Sequence, residues 1–179
     1  MTPPAEAGIW QPKGIIAVLD TSTLVRAWLS RPPGRTPAVE IVRAAGRRYD
    51  SFTSPAILAE VEEVLERPRF GASRAAVRLW LDRFVRLSRQ VFPESFPDVD
   101  AGPVHADLSD LPVLRTALAV PATQEFAPIA AAARADGGWF LVSENTRDFM
   151  PGRNVWGWRF TTAHGFWQVL RAREAMERP

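Results

Sequence analysis

Short unbroken apolar runs alternate along this chain with longer stretches in which apolar residues recur every three or four positions. GIIAVLD (14–20), WFLVS (139–143) and, more weakly, Tyr49–Thr53 are of the first kind, the pattern of strands buried on both faces. Thr23–Ser30, Pro37–Ala45 and the run AILAEVEEVLER are of the second kind, and so is Ser73–Arg89, where Val77, Trp80, Leu81, Phe84 and Leu87 share one helical face. Ser54-Pro55 opens the third of these helices with a capping hydroxyl and a proline at the first helical position. The pattern also predicts a short strand at Gln90–Phe92 and a loop through the Pro-rich stretch 93–104. Two helices follow, 110–119 and 121–136, split at Val120-Pro121 and closed by Gly137-Gly138. A last strand, Val155–Thr161, precedes a closing helix, Ala163–Met176.

Strands that alternate with helices imply an α/β fold, a central parallel sheet of about five strands with helices on both faces. At 179 residues the chain has room for one compact domain, 14–179, after a Pro-rich and unpatterned arm, 1–13. Two of the features that composition can exclude matter here. With no cysteine there is no disulfide, thiolate metal site or cysteine nucleophile, which fits a cytoplasmic protein. The N-terminal MTPPAEAGIWQPKG lacks the basic start and apolar core of a leader, and no apolar run is long enough to cross a bilayer.

The net charge is +2 although the sequence pI is near 9.9. Almost every base is arginine, so the pI drifts upward without marking a strongly basic surface. Local clusters are better evidence: Arg43, Arg47 and Arg48, and Arg67 and Arg69, are placed to meet phosphates, or else form an ordinary solvated face.

Carboxylates carry the candidate chemistry. In an open parallel sheet ligands bind beyond the carboxyl ends of the strands. Asp20 ends the first apolar run and Asp148 follows WFLVS, so both fall at that edge, although an aspartate before a helix can equally serve as its cap. Glu60 lies on the border of the apolar face defined by Ile57, Val61, Val64 and Leu65, as an amphipathic flank or as a carboxylate aimed along the packed face. Carboxylates brought together need a shared proton or a cation. With no cysteine and only His105 and His164 as imidazoles, the ligands are hard oxygens suited to Mg²⁺ or Mn²⁺, ions that can activate water and offset charge on a phosphodiester.

AVLDTSTLVRAWL, SPAILAEVEEVLERPRF and FLVSENTRDF, in that order, resemble the PIN-domain ribonucleases, which include toxins of bacterial toxin–antitoxin pairs. The resemblance implies a three-layer PIN-like fold, metal-dependent cleavage of single-stranded RNA by metal-activated water, homodimerisation and a cognate antitoxin partner. It carries over to Asp20, to Glu60 in the helix that begins Ser-Pro, and to Asp148 with Asn145 in the asparagine–x–x–aspartate–phenylalanine ending. Thr21, Ser22 and Asn145 would supply supporting hydrogen bonds, Ser22 standing where the family usually has asparagine. A further acid opens the helix before the last core strand in this family. DLSDLPVLRTAL offers Asp107 and Asp110, followed by an additional helical segment. QEFAPIAAAARADGGWFLVSEN offers Glu125 at the family's usual separation from Asn145, and Glu125 is the expected ligand.

Rivals from other classes fare worse. A haloacid-dehalogenase-like phosphatase needs a second aspartate where Ser22 stands and a downstream lysine, and the one lysine is Lys13, upstream. The same absence argues against a receiver domain or a phosphate-binding GKS/GKT loop. The stronger alternative is a non-catalytic PIN fold that binds RNA or protein through arginines and tryptophans; Trp28, Trp80 and Trp139 read as core, while Trp156, Trp158 and Trp167 are free to be exposed.

Overall fold

Every residue is buried in β1 (Ile16–Leu19), β2 (Asp50–Thr53) and β4 (Trp139–Val142), which form the middle of one six-stranded sheet. This is a computed structural model that describes residues 13–30, 35–95, 110–135 and 138–177. β3 (Ser88–Gln90), β5 (Asn154–Val155) and β6 (Trp158–Thr161) complete the order β3-β2-β1-β4-β6-β5. All neighbours pair in parallel except β5, which pairs antiparallel with β6 at one edge. The chain leaves β1 towards β2 on one side and returns to β4 on the other, so strand order reverses between β1 and β4.

The helices are α1 (Thr21–Leu29), α2 (Pro37–Ala44), α3 (Pro55–Glu66), α4 (Arg74–Arg86), α5 (Leu111–Ala122), α6 (Ala127–Ala135) and α7 (Ala163–Glu177). Alternation along the strands assigns them to layers. Trp139 Nε1 donates to Ala130 O of α6 at 2.7 Å, and Phe52 packs edge-on against Phe126 with ring centroids 5.1 Å apart, so α5 and α6 cover one face. Phe140, one residue on from Trp139, meets Phe166 of α7 at 5.2 Å on the other. This is the three-layer α/β arrangement with helices on both faces. Among the described residues no helix is long and apolar enough to cross a membrane.

Helix starts follow local chemistry. Thr36, Ser54 and Ser73 each accept an amide from the first turn of α2, α3 and α4 through the side-chain hydroxyl. Close approach fixes Gly138, where a Cβ would lie 2.4 Å from the carbonyl oxygen of Gly14.

The structure corrects the sequence reading in four places. Α4 ends at Arg86, and Ser88–Gln90 forms β3, two residues earlier than expected. Val155–Thr161 is not one strand but the β5–β6 hairpin, turned by Trp156 (φ 53°) and Gly157 (φ 88°), both in the positive-φ conformation of a two-residue turn. Pro121 does not divide the helices: α5 runs through it to Ala122, and α6 begins only at Ala127. Trp158, expected among the exposable tryptophans, is buried, while Trp156 and Trp167 pack partly buried against the core. The N-terminal arm before Lys13, the PPG turn, residues 96–109 of the Pro-rich region with His105 and Asp107, and Gly137 lie outside the described residues.

Candidate active site at the carboxyl edge of the sheet

Leu19 pairs with Val142, so Asp20 and Ser143 are the first residues beyond the paired ends of β1 and β4, at the point where strand order reverses. The Asp20 amide continues the ladder, donating to Val142 O at 2.9 Å. Asp20 is the N-cap residue of α1, and its carbonyl accepts the amides of Thr23 and Leu24, but its side chain makes no cap bond. The carboxylate turns instead to two hydroxyls: Ser22 Oγ donates to Asp20 Oδ2 at 2.6 Å and Ser143 Oγ donates to the same oxygen at 2.7 Å. The side chain is 7% exposed.

Backbone amides meet both hydroxyls as well. Glu144 N donates to Ser22 Oγ and Asn145 N donates to Ser143 Oγ, each at 3.0 Å. A serine oxygen carries one proton and two lone pairs, so each can take its amide and still bond the Asp20 carboxylate. The two serine oxygens also approach each other to 3.2 Å, where either can donate.

Glu60 reaches the same edge from α3. Thr21 Oγ1 donates to Glu60 Oε2 at 2.8 Å. Burial pushes the Glu60 carboxyl above its ordinary value, the Thr21 hydroxyl offsets part of the rise, and the negative charges of Asp20 and Glu63 add to it. Thr21, which bonds Glu60, follows Asp20 directly in the chain, so the two carboxylates belong to one edge. Among the described residues the hydrogen bonds to this pair fall on Oδ2 of Asp20 and Oε2 of Glu60, so Oδ1 and Oε1 retain their lone pairs.

Asp148 sits in the turn after β4. Asn145 Nδ2 donates to Asp148 Oδ2 at 2.8 Å, and the Asn145 amide joins this pair to Ser143 and so to Asp20. Glu144, between them, holds the loop in place: its Oε1 accepts the amide of Ala163 at the start of α7 at 2.9 Å, and its Oε2 lies 3.3 Å from Arg26 Nη1 on α1.

The two places for a further acid separate. Along α5, Thr116 Oγ1 donates to Ser54 Oγ at 2.8 Å, at the carboxyl end of β2. Phe126, ten residues later, meets Phe52 within β2, so α5 runs back towards the amino edge. Asp110, upstream of Thr116, therefore opens α5 at the carboxyl edge, where it is buried with 5% exposure. Glu125 lies in the turn between α5 and α6, its side chain 72% exposed and 3.7 Å from Arg89 Nη1, an arginine whose charge also acts on Asp50 at the start of β2. Glu125 is thus not brought to Asp20 and Glu60, because the helix expected from residue 121 begins at Ala127.

Among the described residues no three His, Cys, Asp or Glu side chains gather into a group that could hold a metal ion. Ser143 and Glu144 had not been singled out in the sequence. The available signal was positional: Ser143 follows an apolar run, as Asp20 does, at the same register of a neighbouring strand.

A comparison with curated proteins returns no match to this chain. Residues 17–147, well over half of the sequence, match the family model described as PIN domain, and the chain belongs to the PIN-domain family.

Proposed function

We propose that this PIN-domain chain is a divalent-metal-dependent endoribonuclease that cleaves single-stranded RNA, with Mg²⁺ or Mn²⁺ as cofactor. The observation that carries the reading is the placement of Asp20 and Glu60 at the strand-order reversal, where Glu60 accepts the hydroxyl of Thr21, the residue next to Asp20. Like charges held together are relieved by a proton or a cation. The donors are carboxylate oxygens supported by hydroxyls, which suits a hard cation. Magnesium is commonly held by one or two carboxylates with water and substrate phosphate, so this pair fits it without a three-acid cluster.

Asp20 and Glu60 would hold the ion through Oδ1 and Oε1, with Asp148 and Asp110 completing the acidic edge; Asp110 takes the part expected of Glu125. When bound, the ion makes water more acidic and offsets charge building on a phosphodiester. Ser22 and Ser143 keep Asp20 in one orientation, Thr21 does so for Glu60, and Asn145 for Asp148. The proton that an attacking water sheds passes to solvent, which supplies one to the departing 3′-oxygen. In-line attack on phosphorus displaces the 3′-oxygen and leaves a 5′-phosphate and a 3′-hydroxyl.

The test is incubation of single-stranded RNA with Mn²⁺ and end-group analysis of the products. Asp20→Asn should abolish cleavage in a folded protein. Cleavage that persists in EDTA, or 2′,3′-cyclic phosphate ends, would overturn the mechanism.

We place the chain further as a homodimeric toxin neutralised by an antitoxin. Leu79 on α4 and Leu87 just after it are exposed and support a docking area there; the apolar residues of α2 are buried and add nothing to it. Harmless expression of the chain alone, with no protein co-purifying, would remove the toxin role. The absence of a three-ligand group among the described residues favours one alternative, a non-catalytic RNA- or protein-binding PIN module. Thermal melting separates the two, because Mn²⁺ at 100-fold over its Kd stabilises a binding protein by about 2.7 kcal/mol.

A further inference from the structure

The carboxylate edge repels the substrate proposed for it. Asp20, Glu60, Glu63, Glu144 and Asp148 place negative charge where a polyanion must enter, and a net charge of +2 gives little general attraction. Arg26 and Arg67 are each paired with one of these acids, from different elements.

Arg26 shares a face of α1 with Ser22, four residues earlier. Its Nη1 lies 3.3 Å from Glu144 Oε2, and the Glu144 amide donates to the Ser22 hydroxyl that holds Asp20. Arg26 is therefore on the β4-loop side of the site. Arg67 closes α3 as the residue after Glu66, with Nη2 3.2 Å from Glu63 Oε1 and its charge felt at Glu60. It stands on the α3 side. Both side chains are open to solvent, 62% for Arg26 and 48% for Arg67, and each rests on one glutamate. Exposed ion pairs of this kind contribute little, so a phosphate that offers two oxygens to the guanidinium can displace the glutamate at small cost.

We infer that Arg26 and Arg67 form a two-point phosphate clamp that grips the backbone of single-stranded RNA on either side of the Asp20–Glu60 pair. The clamp rests on the reading that this edge receives RNA. It assigns the two glutamates, Glu144 and Glu63, as resting partners that hold the guanidiniums in place until the backbone arrives.

The experiment is fluorescence anisotropy of a labelled 12-nucleotide single-stranded RNA with the full chain in Ca²⁺, across a range of salt concentrations. Each lost phosphate contact should reduce the slope of log K against log salt by about 0.7, so Arg26→Gln and Arg67→Gln together should reduce it by about 1.4. Arg26→Lys and Arg67→Lys, which keep a point charge, should restore most of the slope. Arg173→Gln, which removes an arginine paired with Glu177 on α7, should leave it unchanged. An unchanged slope in the double variant, or an equal loss in Arg173→Gln, would overturn the clamp. The same proteins are assayed with Mn²⁺ for cleavage. Cleavage by the natural chain with an unchanged slope in the double variant would overturn the clamp and leave the nuclease standing. Arginine-dependent binding without cleavage would support the clamp and overturn the nuclease. No binding by the natural chain would overturn both.

Discussion

Ser143 Oγ donates to Asp20 Oδ2 at 2.7 Å across 123 residues of sequence, while the same oxygen accepts the amide of Asn145. Ser143→Ala removes a donor to a carboxylate and the acceptor of an amide at once. We expect a loss of about 1–3 kcal/mol, read by urea denaturation. Cleavage should fall by about 10–100-fold, the usual cost of losing a group that orients a metal ligand. Stability and rate both within error of the natural chain would refute the orienting role.

The position of α5 ranks the remaining acids. Asp110→Asn should reduce cleavage strongly, whereas Glu125→Gln, altering an exposed residue paired with Arg89, should leave rate and stability close to those of the natural chain. Single-turnover kinetics on one RNA would measure both, and the reverse ranking would return Glu125 to the site.

Glu60 makes the fold sensitive to pH in a definite direction. Its carboxyl is raised, chiefly by burial, so the folded chain binds that proton more tightly than the unfolded chain does. Ionisation of Glu60 therefore costs stability above the raised value, and acidification relieves the cost. Glu60→Gln should abolish cleavage yet raise the Tm in EDTA at neutral pH, with the gain disappearing as pH falls through the ordinary carboxylate range. A neutral-pH Tm below that of the natural chain would contradict this account.

Asp50 gives a larger effect of the same sign at the opposite end of the sheet. It is 2% exposed, and burial raises its carboxyl from 3.8 to about 6 against the Lys13 amide bond and the charges of Arg89 and Lys13. Stability should fall as pH rises from about 4 to about 6 and then level off. Asn can still accept the Lys13 amide. Asp50→Asn should flatten that profile and add up to about 3 kcal/mol at pH 7, since each pKa unit corresponds to about 1.4 kcal/mol. Parallel denaturant titrations at pH 4.5 and 7 check it; identical pH profiles for the two proteins would refute it.

The strands that carry the site were legible because burial on both faces leaves an unmistakable apolar run, as in Ile16–Leu19 and Trp139–Val142. Ser54-Pro55 marked the start of α3 to the residue. The β5–β6 turn was hidden because its first central residue is tryptophan, a side chain that seldom adopts positive φ, and Gly157 alone gave too little signal. The surroundings of Glu125 were not legible. The separation from Asn145 that favoured it is a count along the sequence, and such a count does not show that Glu125 falls in a turn beside Arg89; nor does Pro121 mark a helix boundary, because a proline near the end of a helix removes a single amide bond and α5 tolerates it. The Ser22–Asp20–Ser143 triangle was half legible. Ser22 is a neighbour in sequence, whereas Ser143 and Glu144 join it only through the pairing of β1 with β4.

Asp20 occupies the N-cap of α1 without capping it. Aspartate is among the residues that stabilise a helix start most effectively, typically by about 1 kcal/mol relative to alanine. Here that contribution is absent, since the side chain is turned to the two serines instead. The stability that Asp20 does contribute comes through accepting those two hydroxyls, which a neutral acceptor can also do. A population of variants selected only for folded expression would admit asparagine at residue 20, whereas one selected for activity would keep aspartate there, and the contrast between the two would locate the chemistry without an assay of the reaction.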